Sequence, residues 1–264
     1  MESSVRTWIG ALRGSQQRLV SLAGPLSPEQ LRQPSYCSGW TVAQVLSHLG
    51  SQAEIGQASL AAVLAGGEPL SMDDFKRIWA VWDARDPDEQ AAQSLAQDAA
   101  QVGRYERLSD DELAGIRAPL FGMEFDAVGL LWLRLGEHAL HSWDIAVSLD
   151  PAATVAGDSV GLLLDRVSWI AGRAGKADGE PYQVIIETAD PERSFLLDVG
   201  ESVSLSEVTP GEETAGGSAA RIRMPAEALM RLVYGRLDAG HTPPVEILAG
   251  DIDLDRLRQT FPGF

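Results

Sequence analysis

Between Leu131 and Asp150 the chain reads LWLRLGEHALHSWDIAVSLD, an apolar helical stretch that also holds two of its four histidines. Glu137, His138, His141 and Asp144 fall within about two helical turns of one another. In the company of so much Leu, Ile, Val and Trp, a polar group costs a few kcal/mol unless a partner satisfies it. Any fold for this chain must therefore give these four side chains water or partners. A metal ion is one partner that imidazole and carboxylate share.

The rest of the first 150 residues reads as further helix. Trp8, Leu12, Leu19 and Leu22 lie near helical spacing, and Ser27 before Pro28 is a capping residue followed by proline at the first helical position. In GWTVAQVLSHLGSQAEIGQASLAAVLAGG, Thr41 and Gln44 form a Thr-x-x-Gln capping box. Val42, Val45, Leu46, Leu49 and Ala53 give the apolar stripe, which Gly66 and Gly67 end. Asp86, Pro87 and Glu89 open another helix over DPDEQAAQSLAQDAAQVGRYERL, and a fourth is predicted from roughly Asp126 to Leu149. Four long amphipathic segments with few strand signals predict an all-α four-helix bundle over residues 1–150.

After Asp150 the pattern changes. DPAATVAGDS reads as a linker and VGLLLDRVSWIAGRAG as one further helix. YQVIIETA, SFLLDVG, SVSLSEV and AARIRM read as short strands, with acidic, glycine-rich TPGEETAGGSA as an exposed loop between the last two. PAEALMRLVYGRL, opened by Pro225, and DIDLDRLRQTF read as helices. Residues 151–264 are thus expected to form a small α+β domain.

A net charge of −17 argues against nucleic acid and anionic membrane surfaces as partners, because both need clustered Lys and Arg. MESSVRTWIGALRG is amphipathic and mixed in charge, unlike a signal segment, and no apolar run reaches bilayer-spanning length. The expected compartment is the cytosol. The single cysteine, Cys37, excludes an intramolecular disulfide and a Cys-rich zinc site. PSYCSGW offers it no adjacent base or cation, so Cys37 reads as a bystander and any reacting thiol as one supplied from outside.

His48 lies midway along its predicted helix, beside Leu49. Inward-facing Glu and His from different helices of a bundle can converge on one ion. Glu137 and His141, four apart, share a helix face, whereas His138 points roughly 100° away from Glu137. His48, Glu137 and His141 would leave a fourth position open, the catalytic pattern for zinc. Asp144 is placed to accept the other ring N–H of His141. The same residues also fit a solvated Glu–His contact and a hydrogen-bonded lone histidine, and a rotated helix would put His138 in place of Glu137. His241, in AGHTPPVE, reads as an unrelated loop residue.

SGWTVAQVLSHLGS, GEHALHSWDIA and the ending GDIDLDRLRQTFPGF resemble the mycothiol-dependent maleylpyruvate isomerase family, over nearly the whole chain. The resemblance implies a DinB-like metal-binding bundle followed by a sterol-carrier-like α+β domain. It implies zinc held by a histidine of the second helix and a Glu-x-x-x-His pair of the last bundle helix, which here are His48, Glu137 and His141. It also implies mycothiol as cosubstrate and carboxylate-binding arginines in the second domain. Arg221, Arg223, Arg231 and Arg236 are available there; Arg223 and Arg231, with Asp144, are the candidate catalytic residues.

The expected activity is that of a zinc-dependent, or other divalent-metal-dependent, transferase or cis–trans isomerase. A thiol would attack a small electrophilic substrate. Two other classes remain. One is a metal-water hydrolase on the same ligands, with Asp144 or Glu54 as base; the other is a non-catalytic metal or small-molecule binding protein.

Overall fold

The structure, a computed structural model, describes residues 3–120, 122–177, 179–209 and 219–263. The chain divides into two compact units, Met1–Val155 and Ala156–Phe264.

The first unit contains α1 (Val5–Ala23), α2 (Pro28–Arg32), α3 (Val42–Leu64), α4 (Met72–Asp83), α5 (Pro87–Arg107) and α6 (Asp110–Gly115). A short hairpin, β1 (Ala118–Leu120) and β2 (Met123–Phe125), leads into α7 (Ala127–Leu149). The four long helices are those the sequence predicts, and their starts follow the capping chemistry. Thr41 and Gln44 exchange both bonds of a capping box, while Asp86 and Asp126 accept backbone N–H groups in the first turns of α5 and α7. The sequence reading lacks α4, α6 and the hairpin. Ser71 and Asp74 form a capping box on α4, and Phe75, Ile78, Trp79 and Trp82 recur at helical spacing along it, so the signals for this helix are present although only Trp82 of it is buried.

Helix α3 packs on α5 and α4, and α7 packs on α1 and α3. Leu12 and Leu19 of α1, Val45, Leu46 and Leu49 of α3, and Leu131, Leu135 and Ile145 of α7 are all essentially inaccessible to solvent. Gly50 permits the close approach of α3 to its neighbours, since a Cβ there would run into the Trp82 ring and the Ser94 backbone.

In the second unit α8 (Gly157–Leu163) and α9 (Val167–Ala174) are joined by a 3-10 turn at Leu164–Arg166, so the single helix predicted there is broken. The strands are β3 (Tyr182–Ala189), β4 (Arg193–Val199), β5 (Val203–Glu207) and β6 (Ala220–Pro225); α10 (Ala226–Val233), β7 (Glu246–Ala249) and α11 (Leu254–Thr260) complete the unit. The sheet order is β5-β4-β3-β6-β7, with β3 and β6 parallel and the other neighbours antiparallel. Val184 pairs with Leu197, and Ile186 with both Phe195 and Ile222; all five are buried. Strand β7 escapes the sequence reading because it is a short edge whose residues are mostly exposed. Most of the predicted TPGEETAGGSA loop, residues 210–218, lies outside the described residues. Among the described residues no helix is long and apolar enough to cross a membrane.

Candidate metal centre

Helices α3 and α7 bring His48, Glu137 and His141 together. His48 Nε2 is 3.1 Å from Glu137 Oε2, and His141 Nε2 is 3.5 Å from the same oxygen. The two imidazole rings meet edge to face with centroids 4.8 Å apart. Zinc bonds of about 2.0–2.1 Å at tetrahedral angles hold neighbouring ligand atoms ~3.3–3.4 Å apart, a value the two observed separations bracket. The donor set therefore fits a divalent ion. Two imidazoles and one carboxylate suit zinc and also iron.

Without an ion, the cluster is held together by hydrogen bonds and charge between the imidazoles and the carboxylate. Burial by itself would raise the Glu137 carboxyl, but hydrogen bonds and charge from His141 and His48 outweigh it and hold that carboxyl well below the usual range. Burial would lower the His141 imidazole, but hydrogen bonds to Asp144, Cys37 and Glu137 push it well above an ordinary histidine. The Glu137 side chain remains 38% exposed against 12% for His141, so the carboxylate side of the cluster is open to an incoming ligand.

Asp144 and Cys37 lie on the other edge of the His141 ring. His141 Nδ1 donates to Asp144 Oδ2 at 2.8 Å, which leaves Nε2 facing Glu137. The Cys37 thiol donates to the same carboxylate oxygen at 3.1 Å, and its sulfur is 3.7 Å from His141 Nδ1. Thus the cysteine that has no base beside it in sequence has a buried carboxylate beside it in space. The loop that carries it is pinned to α7 by Tyr36 N–H donating to the Asp144 carbonyl at 3.1 Å. It turns through a Trp40 N–H to Cys37 carbonyl bond, with Gly39 at φ 81°, a left-handed conformation suited to glycine. The turn sets Trp40 beside both imidazoles, its ring centroid 5.3 Å from that of His48 and 6.5 Å from that of His141.

His138 leaves α7 on a different side. Its Nε2–H donates to Asp98 Oδ2 at 3.2 Å and its Nδ1 meets the Ser15 hydroxyl at 2.8 Å, so both ring nitrogens are occupied within the core. Arg134, one turn earlier, pairs with Asp98 and donates to the Leu49 carbonyl at 3.0 Å. Glu54 accepts from Trp82 Nε1 at 2.8 Å.

The sequence reading missed Gln52, Cys37 and Trp40. Gln52 Nε2 lies 2.9 Å from His48 Nε2 and 3.0 Å from Glu137 Oε2. Its position four residues after His48 was the available signal.

The candidate arginines belong to the second unit. Arg223 on β6 and Arg221 both bond Glu187, each at 2.7 Å. Arg231 on α10 is buried, clamps Glu227 with two bonds of 2.6 and 2.8 Å, and donates to the His241 carbonyl at 2.7 Å. The His241 ring pairs with Asp238 at 2.9 Å.

A helical bundle that presents two imidazoles and a carboxylate from facing helices defines the class: a bundle-type candidate metal-binding domain. Residues 12–146 match the family model described as "Mycothiol maleylpyruvate isomerase N-terminal domain", and the chain belongs to that family. Among solved structures, the crystal structure of the mycothiol-dependent maleylpyruvate isomerase superposes with a TM-score of 0.65 at 14% identity, covering 89% of this chain and 90% of that one. A histidine-to-alanine mutant of that isomerase gives 0.64 at the same identity and coverage. At this identity the likeness establishes the fold, a helical N-terminal region followed by a small sheet domain. A Bacillus licheniformis protein named "Putative metal-dependent hydrolase" is 36% identical over 90 residues, which are 33% of this chain and 51% of the relative. The chain thus aligns with about half the length of that curated relative.

Proposed function

We propose that this protein is a metal-dependent enzyme that uses a low-molecular-weight thiol as nucleophile, in S-transfer to, or cis–trans isomerisation of, a small electrophilic substrate. The observation that carries the reading is the convergence of His48, Glu137 and His141 in a chain of the mycothiol maleylpyruvate isomerase family. Zinc is the proposed ion, mycothiol the proposed thiol, and a reducing cytosol the proposed compartment. An ion held by these three side chains lowers the pKa of a thiol that joins it, so that thiolate forms near neutral pH.

The chain's own groups set the geometry. Asp144 accepts the Nδ1 proton of His141 and keeps its Nε2 toward Glu137, while Cys37 adds a second donor to the same carboxylate. Cys37 acts on the Nδ1 side of the ring and is not the nucleophile. Trp40 shields the two imidazoles from water. In S-transfer, sulfur bonds to the electrophilic carbon and the neighbouring carbon gains a proton. In isomerisation, the adduct rotates about the new single bond, loses that proton and expels the thiol. Arg223 and Arg231 are the proposed carboxylate-binding residues of the second unit, where Arg223 is paired with Glu187 and Arg231 with Glu227.

A metal-water hydrolase is the second reading, favoured by the Bacillus licheniformis relative. Turnover of cis-unsaturated keto acids and of activated esters, each with and without added mycothiol or glutathione, separates the two. Metal-dependent turnover of the unsaturated acids only with thiol supports the first reading; thiol-independent ester hydrolysis replaces it with the second.

A further inference from the structure

Gln52 stands one turn after His48 on α3, so the two side chains leave that helix on the same face. Its amide nitrogen is 2.9 Å from His48 Nε2 and 3.0 Å from Glu137 Oε2, atoms that are themselves 3.1 Å apart. The three form a nearly equilateral triangle. As a donor, the amide can serve the carboxylate. An imidazole nitrogen that ligates an ion, however, has no lone pair left to accept a hydrogen bond. With an ion in place, Gln52 cannot keep both contacts as a donor.

A half-turn about the Cγ–Cδ bond exchanges the amide nitrogen for the carbonyl oxygen and puts lone pairs in place of the donor. That oxygen then sits beside two of the ligating atoms, close to the ~3.3 Å spacing of adjacent ligands on a zinc-sized ion. We propose that Gln52 Oε1 is a fourth protein ligand of the resting metal centre, and that Gln52 withdraws when an external thiol arrives. A neutral carboxamide oxygen is a harder and weaker ligand for zinc than a thiolate, so it yields to the thiolate while keeping water out. The inference rests on the metal reading above and extends it to the position that the sequence leaves open.

The test uses the full-length protein loaded with one Co2+ per chain, whose visible absorption reports coordination number and ligand type. Wild type, Gln52→Leu and Gln52→Glu are titrated with thiocyanate as an external ligand, after circular dichroism has shown that all three fold. Gln52→Leu should change the visible bands before any thiocyanate is added. If Gln52 occupies its position about nine-tenths of the time, its removal tightens thiocyanate binding about tenfold, because no protein ligand then has to leave. Gln52→Glu, which keeps an oxygen ligand, should bind thiocyanate no better than wild type. A Gln52→Leu protein with wild-type bands and unchanged or weaker thiocyanate affinity would overturn the proposal and reduce Gln52 to a donor for Glu137. Failure of wild type itself to hold stoichiometric Co2+ is a different outcome; it removes the metal reading and this inference with it.

Discussion

Replacing Asp98 with asparagine tests whether the second polar cluster on α7 is structural. Asp98 is 1% exposed and stands between Arg134 and His138, themselves 6% and 1% exposed. The isosteric change keeps an acceptor for the His138 N–H but leaves the Arg134 guanidinium buried without its counter-charge. Breaking a buried ion pair from one side costs about 3–5 kcal/mol. For a protein of this size each kcal/mol lowers the melting temperature by about 2–4 °C, so the drop should be about 6–20 °C. Ser15→Ala removes only the hydroxyl bond to His138 and should cost about 1 kcal/mol. Asp98→Asn combined with Arg134→Met removes both charges while keeping the acceptor for His138, and should recover much of the loss. Burial alone would raise the Asp98 carboxyl, but Arg134 and His138 outweigh it and depress that group below its ordinary value. A depressed carboxyl stabilises above its unfolded pKa and ceases to do so as pH falls through the folded one. The gap between wild type and Asp98→Asn should therefore be constant above about pH 5 and shrink in stronger acid. Thermal unfolding followed by circular dichroism, in metal-free and metal-loaded protein, reads all of this. An Asp98→Asn protein that melts within about 2 °C of wild type would refute the reasoning and mean that Arg134 is solvated without Asp98.

Three further expectations concern the candidate centre. His48→Ala, Glu137→Ala and His141→Ala should each remove most bound metal, whereas His138→Ala and His241→Ala should keep it; metal content per folded chain by mass spectrometry decides. Asp144→Ala should weaken metal affinity about 10–100-fold, and Cys37→Ala should weaken it less because the His141–Asp144 bond survives, with competition against a chromogenic chelator as the assay. Despite burial, the His141 imidazole is raised well above its ordinary value in the metal-free protein by Asp144, Cys37 and Glu137, so metal has to displace a more tightly held proton. Metal affinity should accordingly rise with pH. The His141 contribution to metal-free stability is complete below its unfolded pKa and lost as pH climbs through the raised folded value; calorimetric titration in buffers of different ionisation enthalpy counts the released proton.

The elements that could be read from the sequence are those whose ends and faces are coded locally. Thr41 with Gln44, Ser27 with Pro28, and Asp86 with Pro87 all cap within three residues, so α3, α2 and α5 announce their own starts. The C-terminal strands alternate or run apolar over five or more residues, whereas β7 and the β1–β2 hairpin are too short to carry a period. The break at Leu164–Arg166 has no glycine or proline to mark it. At the candidate centre, Gln52 lay within reach of the same four-residue rule that pairs Glu137 with His141. The contact between Cys37 and Asp144 did not, since it spans 107 residues and depends on the turn at Gly39.

His138 shows where local reasoning ends. Arg134 with His138 and Glu137 with His141 are both polar pairs at i,i+4 on one helix, and nothing in their spacing tells one from the other. The surrounding helices make the difference. On one side α5 and α1 present Asp98 and Ser15, which satisfy both nitrogens of His138 and close that cluster. On the other side α3 presents His48 and Gln52, so basic nitrogens and an amide crowd around the single carboxylate oxygen of Glu137. An imidazole whose two nitrogens are engaged by an acid and a hydroxyl has no lone pair left for an ion. His141 gives its Nδ1 proton to Asp144, so its Nε2 can face Glu137 as a donor only with a second proton, which a divalent cation can replace.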